Sequence, residues 1–206
     1  MLLKESLDLL HAEFRKMTAR AEEILEKAIA TFDAPDEAAI QAVRDLDKLI
    51  DEDEIRIDNL CMEMLALQEP YAVDFRYIFS IAKAVLDLER VGDQSKTIAR
   101  WSRKLKSPPG EDMRELARKS QTALRMAIEA LIEGDTALAK EVMDIEFQVD
   151  ELEEHIIENT TDIAEAFTAK ALERVGDLAT NLAEKVYFSV NAAEVRHGRF
   201  MAGAEQ

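Results

Sequence analysis

The sequence predicts an all-α protein built from two copies of one three-helix unit. Three observations lead there. Only six Gly and four Pro occur among 206 residues, while 48% are hydrophobic and 33% charged, a balance that favours long helices. Apolar residues recur at steps of three and four with no strand-length alternation. The hexapeptide Leu88–Asp93, reading Leu-Glu-Arg-Val-Gly-Asp, returns identically as Leu172–Asp177.

The first helix is written by Leu3, Leu7, Leu10, Phe14, Met17, Ala21, Ile24 and Ala28, which form one apolar stripe. Asp33-Ala34-Pro35-Asp36 breaks it. A second helix is expected from about Glu37 to Leu67, a turn at Gln68-Glu69-Pro70, and a third helix to about Lys106. Ser107-Pro108-Pro109-Gly110 is the strongest linker signal and divides the chain into units 1–106 and 111–195. The second unit repeats the plan: helices from Glu111 to Glu133, Thr136 to Asn159 and Asp162 to Ala193, then a tail at 196–206 expected to fray. Residues 28–52 match 127–151 at an offset of 99, and the hexapeptides match at an offset of 84.

The formal net charge of −17 argues against nucleic acid and anionic lipid as partners, and leaves cations or a basic protein surface. One cysteine, Cys61, excludes an internal disulfide and fits a reducing compartment. Lys4, Glu5 and Asp8 interrupt the first leucines, so no signal-peptide core is expected, and no run approaches a membrane span. A cytoplasmic protein is the expectation.

The carboxylates carry the chemistry. Glu89 and Asp93 are four residues apart, as are Glu173 and Asp177, Asp47 and Asp51, and Glu146 and Asp150. Each pair shares one helix face. Asp51 and Glu89 lie 19 residues either side of Pro70, and Asp47 and Asp93 lie 23 either side, so an antiparallel hairpin sets all four level. In the second unit Asp150 with Glu173, and Glu146 with Asp177, share a midpoint between Thr161 and Asp162. That hairpin is 15 residues shorter, about two turns from each helix. The alternative is one unbroken helix through Thr161, which would separate Glu146 from Glu173 by about 40 Å.

Four level carboxylates repel, each pair by on the order of 3 kcal/mol at ~6 Å and an effective dielectric of ~20. Protonation, arginine partners or bound cations relieve this. Arg90 and Arg174, inside the motifs, are the nearest candidates. One arginine per four acids leaves charge over, and oxygen-only ligands suit Mg, Mn, Ca or iron. Gly92 and Gly176, costly inside helices, point to close helix approach. Cys61 and His155 read as packing residues, and Trp101 as packing at the end of the third helix.

These residues resemble a known family. Gln68-Glu69-Pro70 followed by Asp87–Asp93 is similar to the first repeat of PhoU, and Leu172–Asp177 with Ala179-Thr180-Asn181-Leu182-Ala183-Glu184 to its second. The resemblance implies a PhoU-like fold of two pseudo-symmetric three-helix bundles. It also implies a non-enzymatic regulator of phosphate uptake and phosphate-starvation signalling, acting with the phosphate ABC transporter and a membrane histidine kinase. It implies multinuclear iron or zinc at Glu89, Asp93, Glu173 and Asp177, with Asp47, Asp51, Glu146 and Asp150 on the facing helices. The His that often follows Gly-Asp in the family is Gln94 in one unit and Leu178 in the other, and Arg100 stands where the second unit has Glu184. Long apolar stripes also allow a homodimer.

Two other readings compete. A ferritin-like di-metal oxidase needs paired Glu-x-x-His motifs, and only Glu194-Val195-Arg196-His197 fits that spacing. A metal-free helical scaffold needs nothing beyond solvated acids. No P-loop, His-Glu-x-x-His or Cys-x-x-Cys motif occurs.

Overall fold

Two aspartates at equivalent positions, Asp36 and Asp135, each start a helix. The computed structural model describes residues 3–191 and the backbone of 195–196 and 199–200. Its helices are α1 (Leu3–Ala30), α2 (Glu37–Leu67), α3 (Ala72–Ser102), α4 (Glu111–Glu133), α5 (Thr136–Asn159) and α6 (Ile163–Asn191). The Asp36 carboxylate accepts from the Ala39 N–H at 2.7 Å and Asp135 from those of Ala137 and Leu138 at 2.9 and 3.0 Å. Each thereby satisfies donors that the first helical turn leaves free. Gly134, at φ 69°, closes α4 in the left-handed conformation that glycine adopts without strain.

The stripe on α1 is the wall of the first core: Leu10, Phe14, Met17, Ala21, Ile24 and Ala28 are buried, and Leu3 and Leu7 pack partly against them. α1, α2 and α3 form one bundle; α4, α5 and α6 form the other. α3 stops at Ser102, short of the expected Lys106. The Ser102 hydroxyl donates to the Ala99 carbonyl at 3.0 Å and lies 2.6 Å from the Thr31 hydroxyl. Beyond it the chain tightens, with the Lys104 N–H donating to the Trp101 carbonyl at 2.8 Å.

The second hairpin is real, and the unbroken-helix alternative is excluded. α5 ends at Asn159 and α6 begins at Ile163. Asp162, rather than Thr161, makes the cap: its carboxylate accepts from the N–H groups of Ala164 and of Lys106, both at 3.0 Å. The Thr160 hydroxyl accepts from the Asp162 N–H at 3.0 Å.

The bundles join along α3 and α6. Phe79 meets Phe188 at 5.8 Å between ring centres, Asp87 pairs with Lys185, and Trp101 stacks on Phe167 at 4.6 Å. Residue numbers rise along α3 as they fall along α6, so the helices run antiparallel and Gly92 comes level with Gly176. Where the tail expected to fray begins, Val195 pairs with Phe200 and Arg196 with Arg199 in a short antiparallel ladder. Glu194, His197 and the remaining tail residues lie outside the described residues.

Candidate metal centre

Each acidic cluster draws one pair of carboxylates from each arm of a hairpin. In the first repeat, Asp47 on α2 and Asp93 on α3 meet the same ammonium: Lys96 Nζ lies 2.7 Å from Asp47 and 2.8 Å from Asp93. Burial raises the Asp47 carboxyl above the usual range; Lys96 opposes this, and the charges of Asp51 and Asp93 add to it. Glu89 is raised first by burial and then by Asp93, Glu54 and Asp51. Burial alone would lower Lys96, but Asp47 and Asp93 hold it above the ordinary lysine range. The four predicted acids thus form one electrostatic cluster, with Glu54 as an added member.

Gly92 makes the approach possible, because a Cβ there would stand 3.0 Å from Asp47 Oδ1. At Gly176 a Cβ would stand 3.0 Å from Val149 Cγ1. Both glycines admit the facing helix.

In the second repeat, Asp150, Glu173 and Asp177 each present an oxygen, and these atoms lie within 4.8 Å of one another. Among the described residues this is the one group of three or more His, Cys, Asp or Glu side chains so arranged. Asp177 is pushed up to about 6, chiefly by burial and then by Glu173 and Asp150, against the pull of Lys170 and Arg174. Burial and then Glu173 raise Asp150. Burial raises Glu146 too; Asp150, Asp177 and Glu184 add to this, and Thr180 opposes it.

Lys170 holds Glu173 Oε1 at 2.8 Å and Glu153 at 3.4 Å. Glu173 Oε2 is buried and has no hydrogen-bond partner. Asp150 and Asp177, both raised toward protonation, stand beside the orphaned oxygen of Glu173, a donor set that a hard cation would satisfy.

The counter-ions differ from those expected. Arg90 pairs with Asp87 at 3.7 Å, outside the cluster, and Arg174 acts on Asp177 only as a more distant charge. A residue adjacent in sequence to a glutamate points about 100° away from it on a helix. Lys96 and Lys170, each three residues from an acid of its cluster, share its face. Continuing the repeat at the same offset pairs Lys96 with Thr180.

The two described histidines, His11 and His155, stand apart from both clusters. His11 Nδ1 lies 2.8 Å from the Tyr77 hydroxyl. His155 is not a packing residue; its side chain is exposed and faces Asp112 at 3.6 Å. Cys61 is buried, its thiol pushed up to about 12 by burial first and by Asp58 second.

A profile of the PhoU domain matches residues 14–102 and 113–186. The chain belongs to the PhoU family. It is 32% identical over 198 residues to the phosphate-specific transport system accessory protein PhoU homolog of Pseudomonas putida, covering 88% of this chain and 77% of that protein. The homolog of the same name from Pseudomonas aeruginosa is 34% identical over 179 residues, covering 79% and 74%. The crystal structure of PhoU from Pseudomonas aeruginosa superposes with a TM-score of 0.84 at 29% identity, over 92% of this chain and 99% of that one. The phosphate transport system regulatory protein PhoU from Streptococcus pneumoniae, 23% identical, shares the fold at a TM-score of 0.84 over 94% and 99%. The all-α architecture of two three-helix bundles is therefore the PhoU fold. No described helix is long and apolar enough to cross a membrane.

Proposed function

We propose that this chain is a non-enzymatic, cytoplasmic regulator of phosphate uptake and phosphate-starvation signalling. In this reading its helical faces dock on the phosphate ABC transporter and on a membrane histidine kinase, and its carboxylate clusters hold metal. The carrying observation is membership of the PhoU family across both repeats, among relatives named as accessory proteins of phosphate-specific transport. Large apolar side chains exposed near the α2–α3 turn, Met62, Leu67, Tyr71 and Val73, support a contact with a partner or a second copy.

The second repeat fits a metal best. Asp150, Glu173 and Asp177 would hold it, and a bound cation would neutralise the cluster and tie α5 to α6. All-carboxylate donors suit iron, Mn, Mg or Ca; zinc draws more readily on His and Cys. The oxidase reading loses ground because His11 meets Tyr77 and His155 meets Asp112, neither of them an acid of the two clusters.

The test of the adaptor role is a pull-down of the tagged chain from cells grown in high and in low phosphate, with identification of bound membrane proteins. Recovery of transporter subunits or the kinase supports it; recovery of neither overturns it. Metal content after purification without chelator tests the other half. Metal that is lost in Glu173→Ala supports the centre. Negligible metal in wild type, Glu89→Ala and Glu173→Ala alike defeats the centre and leaves the adaptor role standing.

A further inference from the structure

Lys96 and Thr180 occupy one and the same position of the repeat, as do Glu89 and Glu173, or Asp93 and Asp177. The two side chains meet their clusters very differently. Lys96 puts a full positive charge on Asp47 and Asp93 at 2.7 and 2.8 Å. Thr180 is 5% exposed and carries no charge. Its hydroxyl faces Glu146, whose charged form it favours. Where the first repeat has an ammonium, the second has a neutral hydroxyl beside acids that approach one another.

The surroundings carry the same contrast. A groove of about 420 Å³ beside Lys96 is lined by Arg44, Asp93, Gln94, Lys96 and Arg100 among others. At the offsets of 99 and 84, Arg44, Lys96 and Arg100 correspond to Met143, Thr180 and Glu184. Three cations on one side stand against one anion and no cation on the other. A metal ion entering the first cluster would have to take oxygens the ammonium already holds, and would do so beside two guanidinium groups. In the second cluster the lysine lies elsewhere. Lys170 takes Glu173 Oε1 and Glu153, Glu173 Oε2 stays unpartnered, and a Glu173 oxygen lies within 4.8 Å of oxygens of Asp150 and Asp177. The first repeat has Leu86 at the position of Lys170. Lys170 therefore orients its cluster, while Lys96 fills its own.

We propose that the two repeats are unequal cation sites: Lys96 is the resident cation of the first, so a metal ion is taken up by the second repeat alone. Resting on the metal-bearing reading above, the proposal adds which half bears the metal and which residue decides it.

The experiment uses the full chain stripped with chelator, dialysed against Mn(II), with bound manganese counted by elemental analysis and folding checked by circular dichroism and thermal melting. Wild type binds a load that Asp177→Asn removes and Asp93→Asn does not. Lys96→Thr gains a second load, about doubling the total because the coordinating groups of both repeats are then available, and adding Asp93→Asn removes the gain. Thr180→Lys loses the wild-type load. It also decides the question if Lys96→Thr, with Asp47 left unpaired, fails to fold. A wild-type load removed by Asp93→Asn, a retained load in Thr180→Lys, or a folded Lys96→Thr with no gain each overturns the proposal while leaving a metal centre in place. No manganese, iron or zinc on any variant overturns the metal-bearing reading itself.

Discussion

Asp87 on α3 and Lys185 on α6 form an ion pair across the seam between the bundles, with Asp87 only 5% exposed. Neither partner has a charged equivalent in the other repeat, where Ala171 and Trp101 take their places. The pair belongs to the joint rather than to either bundle.

Removing one partner strands the other. Lys185→Met is expected to destabilise the chain by about 3 kcal/mol, because a buried carboxylate loses its main counter-ion. Arg90, 3.7 Å from Asp87, is the reserve that keeps the loss at the lower end. The double substitution Asp87→Leu with Lys185→Met is expected to cost less than Lys185→Met alone. Urea unfolding of the three proteins checks this, and a double variant less stable than either single one would contradict it.

Asp53 presents a second buried charge, fully enclosed and held by Arg20, Lys16 and Arg56. Arg20 also donates to the Leu49 carbonyl at 3.1 Å, tying α1 to α2. Asp53→Ala leaves three cations facing one another and is expected to cost about 3–5 kcal/mol. The equivalent residue of the second repeat is Leu152, so Leu152→Ala tests packing alone, at about 2–3 kcal/mol given its partial burial. Thermal melts in low and high salt separate the two, since only the first responds to ionic strength.

The acids of the second repeat set a pH dependence. Asp177 rises from 3.8 to about 6 in the folded chain through burial, Glu173 and Asp150. The folded state therefore binds its proton more tightly than the unfolded state. Stability from this group is present at low pH and lost as pH rises from about 4 to about 6, because the unfolded chain then binds fewer protons. In chelator, Asp177→Asn is expected to gain stability relative to wild type across that window and to hold the gain above it. Melting temperatures at half-unit steps from pH 4 to 7.5 check the sign. Metal added above pH 6 is expected to reverse it, stabilising wild type more than the variant.

The two motif glycines should differ on substitution. Alanine at either gains about 1 kcal/mol of helix propensity. At Gly176 the new methyl meets Val149, a stiff branched side chain that is fully buried, at 3.0 Å. Gly176→Ala is expected to be destabilising by about 1–2 kcal/mol. At Gly92 it meets Asp47 Oδ1, the end of a rotatable side chain. Gly92→Ala should cost less in folding while displacing Asp47 from Lys96. Chemical denaturation gives the order, and equal losses would contradict it.

What could be read without coordinates followed from counting. Helix periodicity placed all six helices, and equal distances from a turn placed acids from two helices level with one another. The second hairpin worked the same way, because an antiparallel pair preserves such distances whatever the side chains do. Neutralisation could not be counted in that manner. Arg90 and Arg174 are the nearest cations along the chain but point off the clustered face, whereas Lys96 and Lys170 lie one turn away on it. Asp53 has no charged counterpart in the second repeat and lies in the acidic run Asp51–Glu54. Arg56, three residues on, shares its face, but Lys16 and Arg20 emerge as partners only when α1 is laid against α2. The end of α3 was misjudged for a related reason. The local stop signal, Ser107-Pro108-Pro109-Gly110, comes only after Lys106, while Ser102 is held by Thr31 from another segment.

The antiparallel crossing at Gly92 and Gly176 gives the molecule an approximate twofold axis through its middle. Any partner gripping it across that axis meets two nearly superimposable footprints and, on shape alone, could seat in either of two orientations half a turn apart. The arginines and lysine on one flank, facing a methionine, a threonine and a glutamate on the other, lift that degeneracy. Charge tells such a partner which way round the protein stands.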